Sequence, residues 1–539
     1  MKVLTCDEVR HAEGEAISRP GGSTLLLMQR AGQAVAQFCL AKFKFKSVCV
    51  VCGKGNNGGD GLVAAEELRR TSEVSVHVII LARDVSELSA DAVAMRTRLG
   101  LEPIWISGEA EFETAQVQDA LASDLVLDAI VGTGFKPPLR GLATAAVAAI
   151  NRTTAPVVAV DLPSGVDADR ATPIRPGDAD VVSCDGVVTF IAPKLAHIFG
   201  DLTSGPIAVS EIGVQPALVS THTGVNVISG REVRVVFPPR PRDAHKGMFG
   251  HLLVIAGSLG KAGAAGLAGM AALGTGAGLV TVACPESIQA TVSGFAPELM
   301  TEGLPETDDR TIALTAATQM DRLLESKDVV VLGPGLSTNP KTVSFARQLV
   351  ANCTLPLVLD ADGLNAFAGR CGELKKSKSG MLVITPHPGE AARLLGISTT
   401  EIQKDRQAAA HRLAGETGAT VVLKGSRTII VGGSTETWIN MSGNPALAKG
   451  GSGDVLSGMI GAALARTVAK PADGSTKDSV YAQEVSVAAA VHLHGLAADA
   501  ARNALQENTV LATDVVKSLS EAFRQCSLQM EQELFYLQG

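Results

Sequence analysis

Short apolar runs ending in glycine or aspartate alternate, along most of the chain, with segments whose apolar residues recur every three or four positions. In the first 230 residues the runs are Ser47–Cys52, Val74–Leu81, Leu125–Asp128 and Val157–Asp161, with helical spacing over Gly61–Arg70 and Ser89–Leu99. Runs of this kind alternating with helices predict parallel strands covered on both faces, with ligand-binding groups gathered at the carboxyl edge. The pattern lapses over residues 214–242, where Val235-Val-Phe-Pro-Pro-Arg-Pro-Arg242 predicts an extended linker. A second series follows in His251–Ala256, Leu279–Ala283, Val329–Leu332, Leu357–Asp360, Leu382–Thr385 and Thr420–Lys424. Between its first two runs, the glycine-rich stretch from Ala262 reads as loops rather than as a spanning helix. The fold class expected is α/β, in two three-layer domains over residues 1–225 and 226–525, with no short internal repeat.

Composition narrows the class. A chain of 539 residues exceeds one ordinary domain, and 46% hydrophobic against 19% charged residues excludes disorder. A net charge of −8 without a basic run argues against nucleic acid as a partner, though backbone amides could still hold a small anion. Neither a spanning segment nor a signal peptide is evident, so no membrane association and a cytoplasmic location are expected. The nine cysteines are scattered and read as reduced thiols. Cys49 and Cys52 have redox-pair spacing, but in a strand positions three apart face opposite ways, which favours structural thiols. The end of the chain, Glu533-Leu-Phe-Tyr-Leu-Gln-Gly539, resembles a tag scar, and residues 526–539 are read as a tail without function.

In the first half, Gly53-Lys-Gly-Asn-Asn-Gly-Gly-Asp-Gly61 follows a strand and opens a helix, satisfying G-x-G-x-x-G at Gly53, Gly55 and Gly58. Glycines allow close backbone approach to an anion, which the helix amino end attracts. A sharp turn would need the glycines but not Asn56, Asn57 and Asp60. The next strand ends in Leu81-Ala-Arg-Asp84, without the lone acidic residue that holds a ribose. Asp128-Ala-Ile-Val-Gly-Thr-Gly-Phe135 and Asp161-Leu-Pro-Ser-Gly-Val-Asp167 also end strands. Their oxygens suit a hard cation, while a single such Asp could equally cap a helix.

In the second half, Gly450-Gly-Ser-Gly453 precedes Asp454 and an apolar helical run. Successive amides at a helix amino end can hold a transferring phosphoryl group, and an Asp there can take the proton of an attacking hydroxyl. Leu332-Gly-Pro-Gly-Leu336, Asp360-Ala-Asp-Gly-Leu-Asn365, Thr385-Pro-His-Pro-Gly-Glu390 and Lys424-Gly-Ser-Arg-Thr428 lie at the ends of upstream strands. None of them is a P-loop, and His387 lacks zinc-ligand spacing. His492 and His494 read as packing or polar-face residues.

Lys54-Gly-Asn-Asn-Gly-Gly-Asp-Gly61, Asp128-Ala-Ile-Val-Gly-Thr-Gly134 and Asp161-Leu-Pro-Ser-Gly165, in this order, resemble the NAD(P)H-hydrate epimerase family over residues 1–220. Gln29 departs from it, standing where an acidic residue is usual. The resemblance implies a Rossmann-like domain that interconverts the R and S hydrates of NADH and NADPH. Substrate contacts would come from Asn56, Asn57, Gly58, Gly59 and Asp60, and from Gly132, Thr133, Gly134, Phe135, Lys136, Pro137 and Pro138. Asn57, Asp128 and Ser164 would hold a potassium ion, and Asp161 would bind substrate and serve as acid/base group.

Gly-Ser-Gly-Asp454 resembles the ribokinase-like superfamily. His245-Lys-Gly, Ala256-Gly-Ser258, Gly263-Ala-Ala265, Gly274-Thr-Gly-Ala-Gly-Leu-Val280 and Thr385-Pro-His-Pro-Gly-Glu390 narrow it to the ADP/ATP-dependent NAD(P)H-hydrate dehydratase family, over residues 230–520. Ala264, Gly335, His387 and Asp454 would then contact the hydrate. Lys424, Gly425, Ser426, Arg427, Thr428 and Gly453 would contact ADP or ATP, which would be used with magnesium. Phosphorylating the ring hydroxyl, with Asp454 as base, would turn a poor leaving group into a good one. Together the resemblances imply a bifunctional, homo-oligomeric repair enzyme, with ADP favoured. Two alternatives use fewer of the motifs: a small-molecule kinase fused to a non-catalytic nucleotide-binding module, or a first half that serves only for interaction.

Overall fold

The computed structural model describes residues 1–170, 180–203, 205–214, 221–434, 436–469, 480–529 and 534–538. It divides into one unit of Met1–Gly224 with Glu531–Gly539, and a second of Val225–Met530.

The first unit contains β1 (Ser47–Cys52), β2 (Ser75–Ile80), β3 (Ile104–Trp105), β4 (Leu125–Ala129), β5 (Val157–Val160), β6 (Gly186–Phe190) and β7 (Ile207–Ser210). Its strands are parallel in the order β7-β6-β5-β4-β1-β2-β3. Every residue of β4 and β5 is buried, as strands with helices on both faces must be. The order reverses between β1 and β4, which opens a crevice beyond their carboxyl ends. Cys49 and Cys52 pack into cores on opposite faces, and all nine cysteines are free thiols.

The second unit contains β8 (Val225–Val227), β9 (His251–Ile255), β10 (Leu279–Pro285), β11 (Met300–Leu304), β12 (Val329–Leu332), β13 (Leu357–Leu359), β14 (Leu382–Ile384), β15 (Thr420–Leu423), β16 (Ile429–Val431) and β17 (Thr437–Ile439). Their order is β11-β10-β9-β12-β13-β14-β15-β16-β17-β8, parallel except where β16 runs against both neighbours. The order reverses between β9 and β12. Both halves thus have the α/β architecture expected.

Three expectations change. The proposed linker lies inside the second unit: Gly230–Val236 is a helix, and Arg240 covers the Phe249 ring at 4.0 Å and donates to the Gly276 carbonyl at 3.1 Å. The glycine-rich stretch is a helix over Ala262–Thr275. Its small residues allow close approach to the helix Ser452–Val468, where a Cβ on Gly458 would lie 2.0 Å from the Ala268 carbonyl oxygen. The tail is part of the first sheet, since β18 (Leu534–Gln538) pairs antiparallel with β7 and buries Leu534 and Leu537. Residues 533 and 539 of that motif lie outside the described residues. Among the described residues, no helix is long and apolar enough to cross a membrane.

Candidate active sites

At the first reversal the loops leaving β1 and β4 touch. A Cβ on Gly53 would sit 2.0 Å from the Ile130 carbonyl oxygen, so only glycine fits there. Gly55 then caps the helix Asn56–Thr71, whose first turns carry Asn56 to Asp60. Asp128 ends near the carboxyl edge of β4, fully buried. Its Oδ1 accepts from the Ser164 hydroxyl at 2.6 Å and its Oδ2 from the Ser164 amide at 2.7 Å.

Asp161 follows β5 with φ of 67°, a backbone strain of about 1–3 kcal/mol that the surroundings must hold. Its amide donates to the Val188 carbonyl at 2.7 Å. The His197 Nδ1 accepts from the Lys194 amide at 3.0 Å, which leaves the ring proton on Nε2 to donate to the Asp161 carbonyl at 2.8 Å. The Asp161 carboxylate takes four donors. Oδ1 accepts from Lys194 Nζ at 2.8 Å and the Thr189 hydroxyl at 2.9 Å; Oδ2 accepts from the Thr133 amide at 2.7 Å and the Thr133 hydroxyl. Lys194 is 1% exposed, and it also donates to Thr189 Oγ1 at 2.7 Å and the Phe190 carbonyl at 3.1 Å.

These surroundings separate three carboxyl groups. Burial alone would push Asp161 up, but the Lys194 ammonium and Thr133 outweigh it and hold the group well below the usual carboxylate range. Burial pushes Asp128 up to about 6, only partly offset by Ser164. Asp60 makes no hydrogen bond or ion pair among the described residues. Burial, with the Asp161 and Glu13 carboxyls nearby, raises it well above its ordinary value.

A Cβ on Gly132 would lie 2.8 Å from Asn57 Oδ1 and 2.9 Å from Asp161 Oδ2, so these three residues meet at one point. Asn57 Nδ2 is buried there without a partner among the described residues. Asp128, buried beside the Ser164 hydroxyl without a basic partner among the described residues, and the Asn57 amide are oxygen groups of the kind that suit a hard monovalent cation. Gly134, Lys136, Pro137 and Pro138 are exposed, and Lys136 pairs with Asp167 at 2.8 Å and Asp169 at 3.0 Å.

At the second reversal the Ser258 hydroxyl donates to the Gly335 carbonyl at 2.7 Å, and the Gly257 amide to the Pro334 carbonyl at 2.8 Å. A Cβ on Gly335 would lie 3.0 Å from that of Ala264, so both line one wall. Asp360 follows β13, Thr385 follows β14 and Lys424 follows β15. Asp360, 1% exposed, accepts from Lys424 Nζ at 2.8 Å and the Thr385 hydroxyl at 2.7 Å on Oδ1, and from the Ser457 hydroxyl on Oδ2. Glu390 Oε2 lies 3.7 Å from Lys424 Nζ and accepts from the His387 amide at 2.8 Å. His387 itself is exposed. Its Nδ1 accepts from the Gly389 and Glu390 amides at 3.0 and 3.3 Å, capping the helix Pro388–Leu395.

Asp454 stands in the first turn of the helix Ser452–Val468, partly buried and without a hydrogen bond or ion pair among the described residues. Burial and the Asp360 carboxylate push it up to about 6, against the opposing pull of Lys424. A Cβ on Gly453 would lie 3.4 Å from Lys424 Nζ, which brings these two predicted nucleotide contacts together. Residues Lys424 to Thr428 form the β15–β16 turn. Arg406 steadies it by donating to the carbonyls of Leu423 at 3.1 Å, Lys424 at 3.2 Å and Ser426.

Several groups here had no assigned role in the sequence reading: Lys194, Thr189 and His197 in the first site, and Asp360, Glu390, Ser457 and Arg406 in the second. For Lys194 the available signal was a lysine closing Ile191-Ala-Pro-Lys194, just after an apolar run. His492 and His494 are buried, and burial lowers both to about 4.

Comparisons with known proteins identify the family of each half. A family model described as NAD(P)H-hydrate dehydratase matches residues 252–521, and one described as YjeF-related protein N-terminus matches residues 24–196. A relative from Moorella thermoacetica, named bifunctional NAD(P)H-hydrate repair enzyme, is 36% identical over 98% of this chain and 98% of its own. One of the same name from Escherichia coli is 35% identical over 96% and 93%. A solved ADP/ATP-dependent NAD(P)H-hydrate dehydratase from Bacillus subtilis, co-crystallised with ATP and Mg2+, is 29% identical, covers 55% of this chain and 97% of its own, and has a TM-score of 0.46. With similarity running the length of the chain and through both sets of motifs, this protein belongs to the bifunctional NAD(P)H-hydrate repair enzymes.

Proposed function

We propose that the first unit epimerises hydrated NADH and NADPH at the β1/β4 crevice, and that the second dehydrates the S hydrate at the expense of ADP or ATP. The observation that carries this reading is Asp454. It is a carboxylate on the first turn of a 17-residue helix, raised to about 6 and free to accept a proton, beside a Lys424 tied to Asp360. Asp454 takes the proton of the ring hydroxyl as that oxygen attacks the terminal phosphoryl group. The amides at the helix amino end stabilise the developing charge. Phosphate then leaves with the C–O electron pair where hydroxide would not, and loss of a ring proton restores NAD(P)H.

Lys424 to Thr428 and Gly453 support a place for the adenine nucleotide, and Ala264, Gly335 and His387 one for the hydrate. Magnesium would accompany the nucleotide and neutralise its phosphates. In the first unit Asn57, Asp128 and Ser164 would hold potassium, which would supply a fixed positive charge beside the substrate. Asn56 to Asp60, Gly132 to Pro138 and Asp161 would surround the hydrate. We read the chain as a cytoplasmic homo-oligomer.

Incubating hydrated NADH with ADP or with ATP, and following the returning absorbance of the reduced nicotinamide, tests both halves. Full recovery is expected. Recovery of the S fraction alone would refute the epimerase, and no recovery with either nucleotide would refute the whole reading.

A further inference from the structure

We propose that Asp60 carries the proton in the epimerisation, and that Asp161, bound to Lys194, is a positioning residue that holds the Gly132–Thr133–Gly134 loop in place. This deepens the epimerase reading and rests on it.

The geometry around Asp161 leaves it little capacity for proton transfer. Four donors occupy its two oxygens, and the Lys194 ammonium in turn has three acceptors for its three protons. A carboxylate so engaged is a weak base, because protonating it would strand a buried ammonium. What Asp161 does hold is Thr133, gripped by amide and hydroxyl together, and through it the loop that leaves β4. Lys194 reaches the carboxylate from beyond β6, so the pair also ties the end of β6 to that loop.

Asp60 is placed differently. It lies on the second turn of the helix that opens at the glycine loop, at the reversal of strand order, and no protein group engages its carboxyl among the described residues. The groups facing it are the Asp161 and Glu13 carboxyls, the Lys194 ammonium already engaged by Asp161, and the buried Cys52 thiol. Burial and the two neighbouring carboxyls favour the protonated form of Asp60 against the opposing pull of Lys194. The second site is divided in the same way: Asp360 is tied to Lys424 while Asp454 stands unengaged on a helix after a glycine loop. Where two environments push carboxyl groups apart, the displaced and unengaged one is the acid/base group.

The step balances. The hydrated carbon lies beside the ring nitrogen. Asp60 gives its proton to the hydroxyl, the C–O bond breaks, and water leaves with the electron pair while the nitrogen lone pair forms a C=N⁺ bond. Water adds to the other face, its oxygen supplies the new C–O pair, and the one proton released returns to the Asp60 carboxylate. Nothing is oxidised or reduced.

The experiment follows conversion of the R hydrate of NADH to the S hydrate by chromatography, using the full chain with no nucleotide added. General acid catalysis contributes roughly 10²–10⁴-fold. Asp60→Asn is therefore expected to lower kcat by about 100-fold or more, with KM changed less than about threefold. Glu13→Gln should stay within about threefold of the parent, well short of a lost acid. The charge-balanced double variant Asp161→Asn, Lys194→Met should keep a tenth or more of kcat, roughly, since it strands no charge. The kcat of the parent should fall as pH rises above the ordinary carboxylate range, and the double variant should keep that profile while Asp60→Asn loses it. Asp60→Asn retaining more than about a third of parental kcat, or Glu13→Gln losing about 100-fold, would overturn the proposal. So would a double variant as inactive as Asp60→Asn at an unchanged melting temperature. A parent that does not epimerise at all would instead overturn the reading beneath it.

Discussion

Replacing Lys424 by Met removes one ammonium from a pocket of carboxylates. Lys424 Nζ is 2.8 Å from Asp360 Oδ1 and 3.7 Å from Glu390 Oε2, and both acids are buried. Asp360 would keep the Thr385 and Ser457 hydroxyls but lose its counter-charge. Deleting one partner of a buried ion pair costs about 3–5 kcal/mol. The Lys424 side chain is 18% exposed, so some water reaches that end, which places the loss near ~3 kcal/mol, roughly two decades in the unfolding equilibrium. Asp360→Asn added to Lys424→Met removes the stranded charge and should recover most of the loss.

The chain has two tryptophans, Trp105 in β3 and Trp438 buried in β17, one in each unit. On a Trp105→Phe background, urea unfolding followed by Trp438 fluorescence therefore reports on the second unit alone. A loss under ~0.5 kcal/mol, or a double variant no better than the single one, would show that the pair carries little desolvated charge. A second readout is independent of folding. Asp454 works as a base only when ionised, so dehydration should decline as pH falls through about 6. Lys424 is the group that lowers Asp454, so in Lys424→Met this acid limb should move to higher pH. An unmoved limb would refute the electrostatic link between the two residues.

Asp454→Asn should lower dehydration by roughly 10²–10⁴-fold while R-to-S conversion continues; loss of both activities would show that the sites are not independent. Epimerisation should depend on potassium. Its potassium affinity should weaken as pH falls through about 6, because Asp128 must be ionised to hold the cation; potassium titrations on either side of that pH read this directly. Gly458→Ala should cost about 1–3 kcal/mol on the Trp438 probe, since its Cβ would meet the Ala268 carbonyl oxygen at 2.0 Å and push two helices apart.

The central parallel strands were legible because burial on both faces makes them continuous apolar runs; β1 and β12 coincide with the runs read from sequence. Shorter or peripheral strands were not. Ile104–Trp105 is two residues long, and β16 and β17 form a short antiparallel excursion. The helix Ala262–Thr275 was misread because glycine lowers intrinsic helix propensity, while close packing against Ser452–Val468 rewards small residues regardless. In the sites, the motifs marked the strand-end acids and the glycine loops. Lys194 escaped because it is 33 residues from Asp161, and only the β5–β6 pairing brings the two together. Arg406 escaped for a similar reason: it recognises backbone carbonyls, which leave no trace in the residues of the turn it holds.

Both units arrive at one device from unrelated motifs. In each, a strand-end aspartate (Asp161 or Asp360) meets a lysine at 2.8 Å and takes hydroxyl donors as well: Thr189 and Thr133 in one, Thr385 and Ser457 in the other. The pair leaves the aspartate charged inside the protein, and that fixed charge acts on a second carboxyl carried by a helix behind a glycine loop. The outcome differs with the local balance of charge. Around Asp60, burial and the Asp161 and Glu13 carboxyls outweigh the lowering pull of Lys194, which favours the protonated form and hence an acid. Around Asp454, burial and the Asp360 carboxylate, opposed by Lys424, leave the group near 6, mostly ionised at neutral pH and hence a base. One arrangement can thus serve a step that begins by giving a proton and a step that begins by taking one, with the choice set by the balance of burial and charge around the helix carboxyl.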